Sequence, residues 1–299
     1  MARLPRLALA GQLHHLVLRG NGGQALFVDD EDRQRCLDML REALRLHRVA
    51  LHGYVLLEDS LQLLLTPESG EGLSTAMQAL GRRYVAAFNR RHGRAGTLWE
   101  GRYRATVVQA QRHFLPLLTL VEWQPQHLGL AGSALDWPWS SAAHHIGRRR
   151  DPLVTDHPLF WATGNTPFER ELAHRARLEA GLPQAQALTL MDATLKGWVL
   201  GDAAFIAALS AHTERPLQPR PRGRPRKAAA PAATTPAAKT GTQAVAKSPH
   251  DGSAKLVTSL SETASASSVP AGTKQAGKRA TRRRATAKSL NGLRNQAPK

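Results

Sequence analysis

The hydrophobic and polar positions of the first 130 residues or so follow strand and helix periods in turn. Apolar runs and alternation that stop at Gly, Asn or acidic turn residues predict strands, and apolar residues three and four apart predict helices. The predicted elements are, in order, a strand at 15–18, a helix in DDEDRQRCLDMLREALRLHRV, two strands joined by a tight turn in HGYVLLEDSLQLLL, a helix in GLSTAMQALGRRYVAAFNRRHG, a strand in RYRATVVQA and a helix in QRHFLPLLTLVEW.

The first six elements have the order of an α+β, ferredoxin-like fold, which is a four-stranded antiparallel sheet with helices on one face. In the next helix we expect Pro116 only in the first turn, because a proline removes a backbone donor. After Gly129 the pattern weakens into a small helical region. Its clearest helix is DAAFIAALSAHT, with Asp202 as the predicted N-cap.

The positive charge of the chain is concentrated at its end. The formal net charge is +18, and residues 215–299 hold 18 Lys and Arg against two acids, whereas residues 1–214 hold 23 against 21. The end is also rich in Ala, Pro, Thr and Ser, a composition that predicts disorder. We therefore predict a folded domain at 1–147, a helical extension at 148–214 and a disordered basic tail at 215–299 that binds a polyanion, nucleic acid first.

The remaining composition predicts an intracellular location. The single cysteine, Cys36, excludes an internal disulfide framework. No apolar run approaches the roughly 20 residues that cross a bilayer, and the N-terminal apolar stretch is short for a signal peptide. We expect a cytoplasmic, nucleoid-associated protein with no membrane partner and no small-molecule substrate.

A basic motif stands at the start of the tail, in RPRGRPRK at 220–227. A Gly-Arg-Pro core flanked by arginines is the pattern of an AT-hook, whose arginines lie along a narrow A·T-rich minor groove. The predicted contact residues are Arg222, Gly223, Arg224, Pro225 and Arg226. The alternative is a basic linker with no preferred partner.

A second basic segment, at 81–104, interleaves seven arginines with aromatic residues. Arginines of this kind contact phosphates, and aromatic rings stack on unpaired bases. We expect DNA contacts from Arg82, Arg83, Arg90, Arg91, Arg102, Tyr103 and Arg104, together with Arg19 and Asn21 of the first strand and loop. Tyr84 and Phe88 continue an apolar stripe and are expected in the core. The alternative is a solvated helix face over core aromatics.

Two polar residues interrupt the apolar strand SLQLLL. Ser60 and Gln62 share one face of this strand with Leu64, because strand side chains alternate. Two metal ligands could stand at such positions, but serine and glutamine are poor ligands. Taken alone, the pattern favours a sheet face covered by polar neighbours.

Several motifs in register resemble the REP-associated tyrosine transposases, which are single-tyrosine transposases of the HUH type. The resemblance covers roughly residues 3–147 and rests on LRGNGGQALFVDDEDRQRCLDML, HGYVLLEDSLQLLL, FNRRHGRAGTLWEGRYRA, QPQHLGL and WPWSS. It implies a ferredoxin-like fold. It also implies a His-x-His pair that binds Mg²⁺ or Mn²⁺, a helix tyrosine that attacks a DNA phosphate, and an Asn or Gln four residues later that completes the metal site.

Carried over residue by residue, the resemblance implies that this chemistry is lost. The two metal histidines fall on Ser60 and Gln62, the nucleophile on Leu120, and the third ligand on Gln124, which keeps a possible ligand oxygen. The Pro-Asn of the family's turn is replaced by Glu58-Asp59, which adds negative charge. We therefore expect no catalytic residues and no bound metal or other cofactor.

The resulting hypothesis is a DNA-binding protein on a transposase-like scaffold, which binds hairpin or single-stranded DNA without cleaving it and adds A·T-rich duplex affinity through its tail. Three alternatives stay open. One is an active transposase or nuclease that uses Glu58, Asp59 and Gln124 with an activated water. Another is an architectural protein in which only the tail binds DNA. The last is a decaying gene product under no functional constraint.

Overall fold

The computed structural model describes residues 6–219. The strands are β1 (Leu13–Arg19), β2 (Val49–Leu56), β3 (Ser60–Pro67) and β4 (Arg104–Val108). The helices are α1 (Asp30–Leu46), α2 (Gly72–Arg91), α3 (Ala110–His127), α4 (Ala142–His145), α5 (Pro158–Trp161), α6 (Pro167–Ala180), α7 (Gln184–Lys196) and α8 (Ala203–Ser210). The predicted order of the first seven elements is confirmed.

The four strands form one antiparallel sheet in the order β2-β3-β1-β4. The two sequence-adjacent strands β2 and β3 form a hairpin, and β1 lies in the middle, between β3 and β4. This is the ferredoxin-like topology that the element order predicts. In the register, Arg19 pairs with Ser60 and Val17 pairs with Gln62.

One face of the sheet carries the main core together with α1 and α2. Leu16 and Leu18 of β1 and the odd-numbered leucines of β3 are buried there among side chains of both helices. Alternation along the strand places these residues on one face, and the 3.6-residue period gives each helix an apolar stripe to cover them. The expected core residues Tyr84 and Phe88 belong to this cluster.

The opposite face is covered by α3 and α7. Leu64 of β3 packs there against Leu117 and Leu118 of α3 and against Leu190 of α7. The expectation for Pro116 is wrong, since α3 begins at Ala110 and the proline lies in its second turn. Phe114 before Pro116 and Leu117 after it are buried, and their packing stabilises the helix across the missing hydrogen bond.

Three of the helices after α3 have a side-chain N-cap, namely α5, α6 and α8. The carboxylate of Asp202 accepts a hydrogen bond from the backbone N–H of Phe205, so the predicted N-cap of α8 is confirmed. Leu217, near the end of the described chain, is buried in a small cluster with Leu7 and Val199. Within residues 6–219 no helix is both long and apolar enough to cross a membrane.

The AT-hook motif at 220–227 and the rest of the predicted basic tail lie outside the described residues. The predicted contacts of Arg222, Gly223, Arg224, Pro225 and Arg226 with DNA therefore stay predictions.

Candidate nucleic-acid interface

A pocket of about 550 Å³ opens between the β1/β3 part of the sheet, α3 and α7. Ser60 and Gln62 form part of its floor from β3, and Leu120 and Gln124 come from one face of α3, a helical turn apart. All four positions that the resemblance assigns to the lost chemistry therefore line the same cavity. Ser60 and Gln62 lie about 60 residues before Leu120 and Gln124 in the sequence, so it is the fold that brings the four side chains together.

The floor of the pocket is buried and carries no charge. Ser60, Gln62 and Gln124 are each less than a tenth exposed, and Leu120 is fully buried. The Gln62 side-chain oxygen accepts no hydrogen bond of normal geometry from the described residues. This floor offers hydroxyl and amide groups but neither imidazole nor carboxylate.

Behind the floor, His15 connects the sheet to α7. Its Nδ1 lies 2.7 Å from the hydroxyl oxygen of Thr194 in α7, and its ring lies beside Gln62. Burial lowers the pKa of His15 to about 4, and the neighbouring Gln62 amide counteracts only part of this shift. At neutral pH the imidazole is therefore uncharged, and its hydrogen bond with Thr194 holds α7 in place beside the pocket.

The mouth of the pocket has mixed charge. Arg19 lines it together with the acidic residues Asp59 and Glu100. The two acids are close neighbours of Arg19 along the backbone, since the N–H of Glu100 donates to the Arg19 oxygen and the N–H of Gly20 to the Asp59 oxygen. The loop that follows β1 closes one edge, where Gly22 and Gly23 have φ angles of 62° and 76°. This left-handed backbone favours glycine, so the GNGG stretch shapes the mouth of the pocket.

The predicted arginines are divided between two sides of the sheet. Arg19, Arg102 and Arg104 line a small adjoining pocket of about 120 Å³, beside the first one. Arg104 pairs with Val17 across β1 and β4, which keeps it near the mouth. The exposed Asn21 belongs to the loop that borders the first pocket.

The α2 arginines lie on the side of the sheet away from the pocket. These are Arg82, Arg83, Arg90 and Arg91. Arg83 forms an ion pair with Glu42 at 2.6 Å, and Arg91 contacts three carboxylates of the first turn of α1 and its N-cap at 2.6–2.8 Å. This geometry gives Arg91 a structural role in joining α2 to α1, and it does not support the predicted contact with DNA.

None of the three tyrosines of the chain lines the pocket. The hydroxyl of Tyr54 donates to the Asp151 carboxylate at 2.6 Å, and that of Tyr84 donates to the backbone oxygen of Leu26. Tyr103 is buried with the guanidinium of Arg6 stacked on its ring, and this geometry does not support the predicted stacking on a base. Burial raises the pKa of all three hydroxyls, so none is activated as a nucleophile.

A buried ionic cluster that the sequence analysis did not predict anchors α3. The carboxylate of Glu122 accepts from Nδ1 of His145 and from Nε2 of His174, both at 2.6 Å, and also from the hydroxyl of Ser141. Burial alone raises the pKa of Glu122, but the two imidazoles outweigh it and hold the pKa well below its usual range. Glu122 lies between Leu120 and Gln124 in sequence, so the cluster fixes the helix that lines the pocket.

Among residues 6–219, the groups of three or more His, Cys, Asp or Glu side chains that could share an ion lie in this region, not in the pocket. One group is Glu122, His145 and His174, and the other is His144, His145 and Asp156. Nδ1 of His144 accepts a hydrogen bond from the backbone N–H of Asp151. Its Nε2 must then carry the proton, which it donates to Asp156 instead of binding a metal.

Comparisons with known proteins give a likeness at low identity. No family model matches the chain, and no curated protein matches it. One similar solved structure is a REP-associated tyrosine transposase bound to a REP hairpin, with 14% identity and a TM-score of 0.44 over 52% of this chain and 92% of that chain. Another is a putative transposase from Deinococcus radiodurans, with 24% identity and a TM-score of 0.28 over 39% of this chain and 94% of that one.

Proposed function

We propose that this chain is a DNA-binding relative of the single-tyrosine transposases that binds hairpin or single-stranded DNA and does not cleave it. The observation that carries the proposal is the convergence of Ser60, Gln62, Leu120 and Gln124 on one pocket. The motif resemblance assigns these positions to one active site, and the fold gives them the proximity that such a site requires. The side chains at these positions include polar groups that can bind a ligand, but neither a tyrosine nor a histidine.

The lost chemistry follows from the side chains at these positions. Leu120 has no atom that can attack a phosphate. The metal of the family does not fit the donors present, because Ser60, Gln62 and Gln124 offer neutral oxygens. Among the described residues, the other ligand-type side chains of the lining, Asp59, Glu100 and His127, form no group of three that could share an ion. Mg²⁺ and Mn²⁺ favour carboxylate and water ligands. The family's metal site also uses a pair of histidines, which Ser60 and Gln62 do not replace. We therefore propose no metal-dependent step.

The DNA backbone would approach along the arginine side of the pocket. Arg19, Arg102 and Arg104 are exposed and close together there, and phosphate contacts of this kind position DNA without reading its sequence. A REP hairpin is the ligand of one similar solved structure, and hairpin DNA is therefore the first ligand to test. The tail would add affinity for A·T-rich duplex through Arg222, Arg224 and Arg226.

The decisive experiment is a cleavage assay on hairpin DNA taken from the flanks of the gene, with Mg²⁺ or Mn²⁺, read on a denaturing gel. The natural protein is compared with the repaired variant Ser60→His, Gln62→His, Leu120→Tyr. We expect the natural protein to bind and leave the strand intact, and the repaired variant to form a covalent DNA adduct. Cleavage by the natural protein would contradict the proposal and favour a nuclease that uses Asp59 or Glu58.

The architectural alternative is tested by binding. A shortened chain should end at Pro219, because Leu217 is buried and a cut before it would damage a core cluster. Hairpin affinity in this shortened chain supports the domain as the binding unit. If affinity is lost with the tail, the tail alone binds DNA. In the full chain, Arg222→Ala with Arg224→Ala should weaken A·T-rich duplex binding if the motif is an AT-hook.

A further inference from the structure

We propose that the pocket holds one unpaired nucleobase of the bound DNA, in the place where the family's chemistry would occur. This inference rests on the proposed function, because DNA must bring the base to the pocket. It adds a ligand class, a nucleobase, and a selection rule, because a base inside a duplex cannot enter a cavity of this kind.

The floor of the pocket suits the edge of a base. Gln62 and Gln124 present amide groups and Ser60 a hydroxyl, and together they offer both donors and acceptors. The side chain of Gln62 lies beside the ring of His15, but neither its oxygen nor Nε2 of His15 has a hydrogen bond of normal geometry. A buried acceptor of this kind is costly to leave unsatisfied, and an N–H of a base edge would satisfy it.

The walls suit the flat faces of a base. Leu120 and Val17 line the inner part, and α7 contributes Ala187, Leu188 and Met191. Leu188 is 60% exposed at the mouth although it is a large apolar residue. Unpaired bases are bound in proteins between apolar or aromatic side chains, with their edges hydrogen-bonded.

Charge and volume argue against the other small ligands. A phosphate would need cations in the floor, but the arginine of the lining, Arg19, is exposed and is accompanied by the acidic residues Asp59 and Glu100. A metal ion lacks the ligands described above. The cavity of about 550 Å³ falls within the range of about 300–1,000 Å³ that is typical of small-molecule sites. A neutral, flat ligand with polar edges fits this combination.

The test is fluorescence anisotropy of the full chain with a hairpin that carries a short single-stranded extension. Each nucleotide of the extension is replaced in turn by an abasic one, which removes the base but keeps the phosphate. We expect one position at which the loss of the base weakens binding about tenfold, the size of effect that single-base contacts give. Equal affinity at every position would overturn the inference while hairpin binding, and with it the proposed function, stands.

Variants of the protein locate the base. Gln62→Leu should reduce the difference between the intact and the abasic DNA, whereas Gln186→Leu, an exposed glutamine of α7 outside the pocket, should keep it. Leu188→Asp at the exposed mouth is a second test that spares the core. If both pocket variants keep the full difference, the base binds elsewhere. If the natural chain binds neither hairpin nor extension, the proposed function fails first.

Discussion

Several histidines are buried in their neutral form, and we expect acid to unfold the protein through them. Burial lowers the pKa of His14, His15 and His52 to about 4. The hydrogen bonds that the rings make with Gln12, Gln62 and Thr155 counteract only part of this lowering, whereas a hydrogen bond that a ring nitrogen accepts adds to it. For example, Nε2 of His14 accepts from the backbone N–H of Leu9, and a proton on that nitrogen would remove the bond.

The direction of the effect on stability follows from the pKa of each histidine in the folded and in the unfolded chain. An unfolded histidine has a pKa near 6.5, so between about pH 6.5 and pH 4 the unfolded chain binds more protons than the folded one. Stability is complete above this window and decreases as the pH falls through it. At about pH 5 the expected loss is about 2 kcal/mol for each histidine and about 6 kcal/mol for the three. That is comparable to the whole stability of a domain, about 5–15 kcal/mol.

One buried histidine, His145, has the opposite effect on the pH dependence of stability. Glu122 raises the pKa of His145 against the effect of burial, so its contribution is complete below about pH 6.5 and decreases as the pH rises. It therefore does not counter the loss between pH 6.5 and pH 5. The acid limb of the stability curve belongs to the histidines whose pKa is lowered.

The assay is urea unfolding followed by tryptophan fluorescence, at about pH 7 and about pH 5. His15→Gln should reduce the difference in unfolding free energy between the two pH values by about 2 kcal/mol, even if it lowers both values. The exposed His212, replaced by Gln, is the matched control and should leave the difference unchanged. An unfolding free energy that is the same at both pH values would refute the reasoning. So would a His15→Gln protein with the full difference.

Three further outcomes are expected. Glu122→Gln leaves the buried cluster without its anion and should cost about 3 kcal/mol in urea unfolding at neutral pH, whereas an unchanged midpoint would show that the cluster contributes nothing. Tyr54→Phe removes the hydrogen bond to Asp151 and should cost about 2 kcal/mol while DNA binding persists, and a selective loss of binding would contradict a structural role. Arg104→Gln should lower the salt dependence of hairpin binding by about one phosphate contact. Arg82→Gln, on the other side of the sheet, is the control and should leave the salt dependence unchanged. Equal effects of the two changes would contradict the assignment of DNA binding to the pocket side of the sheet.

The sheet and its two helices could be predicted because their signals are local. Alternation in β3 assigns Ser60 and Gln62 to one face, and the Glu58-Asp59 turn fixes the hairpin. The position of α7 could not be predicted in this way. Apolar residues lie on both its buried and its exposed side, since Leu190 is buried while Leu188 is exposed. Its position also depends on the contact between Thr194 and His15, which are 179 residues apart in the sequence.

The cluster that anchors α3 could not be predicted from the sequence for a similar reason. Glu122, His145 and His174 come from three helices and show no ligand spacing along the chain. A buried carboxylate is found only when its partners are known, because burial without them would be too costly. Sequence reasoning placed Pro116 in the first turn because it weighed the local cost of proline and could not weigh the tertiary packing that outweighs it.

The two sides of α3 explain how the pocket can keep its shape without the chemistry. One side presents Leu120 and Gln124 to the cavity, and the other carries Glu122 into its ionic cluster. The position of the helix therefore depends on Glu122, not on a metal or a nucleophile in the pocket. Replacing buried imidazole and phenol groups by neutral or apolar ones removes groups that are costly to desolvate and leaves the anchor intact. Under the proposed function, the anchor at Glu122 is what keeps this cavity in shape for DNA.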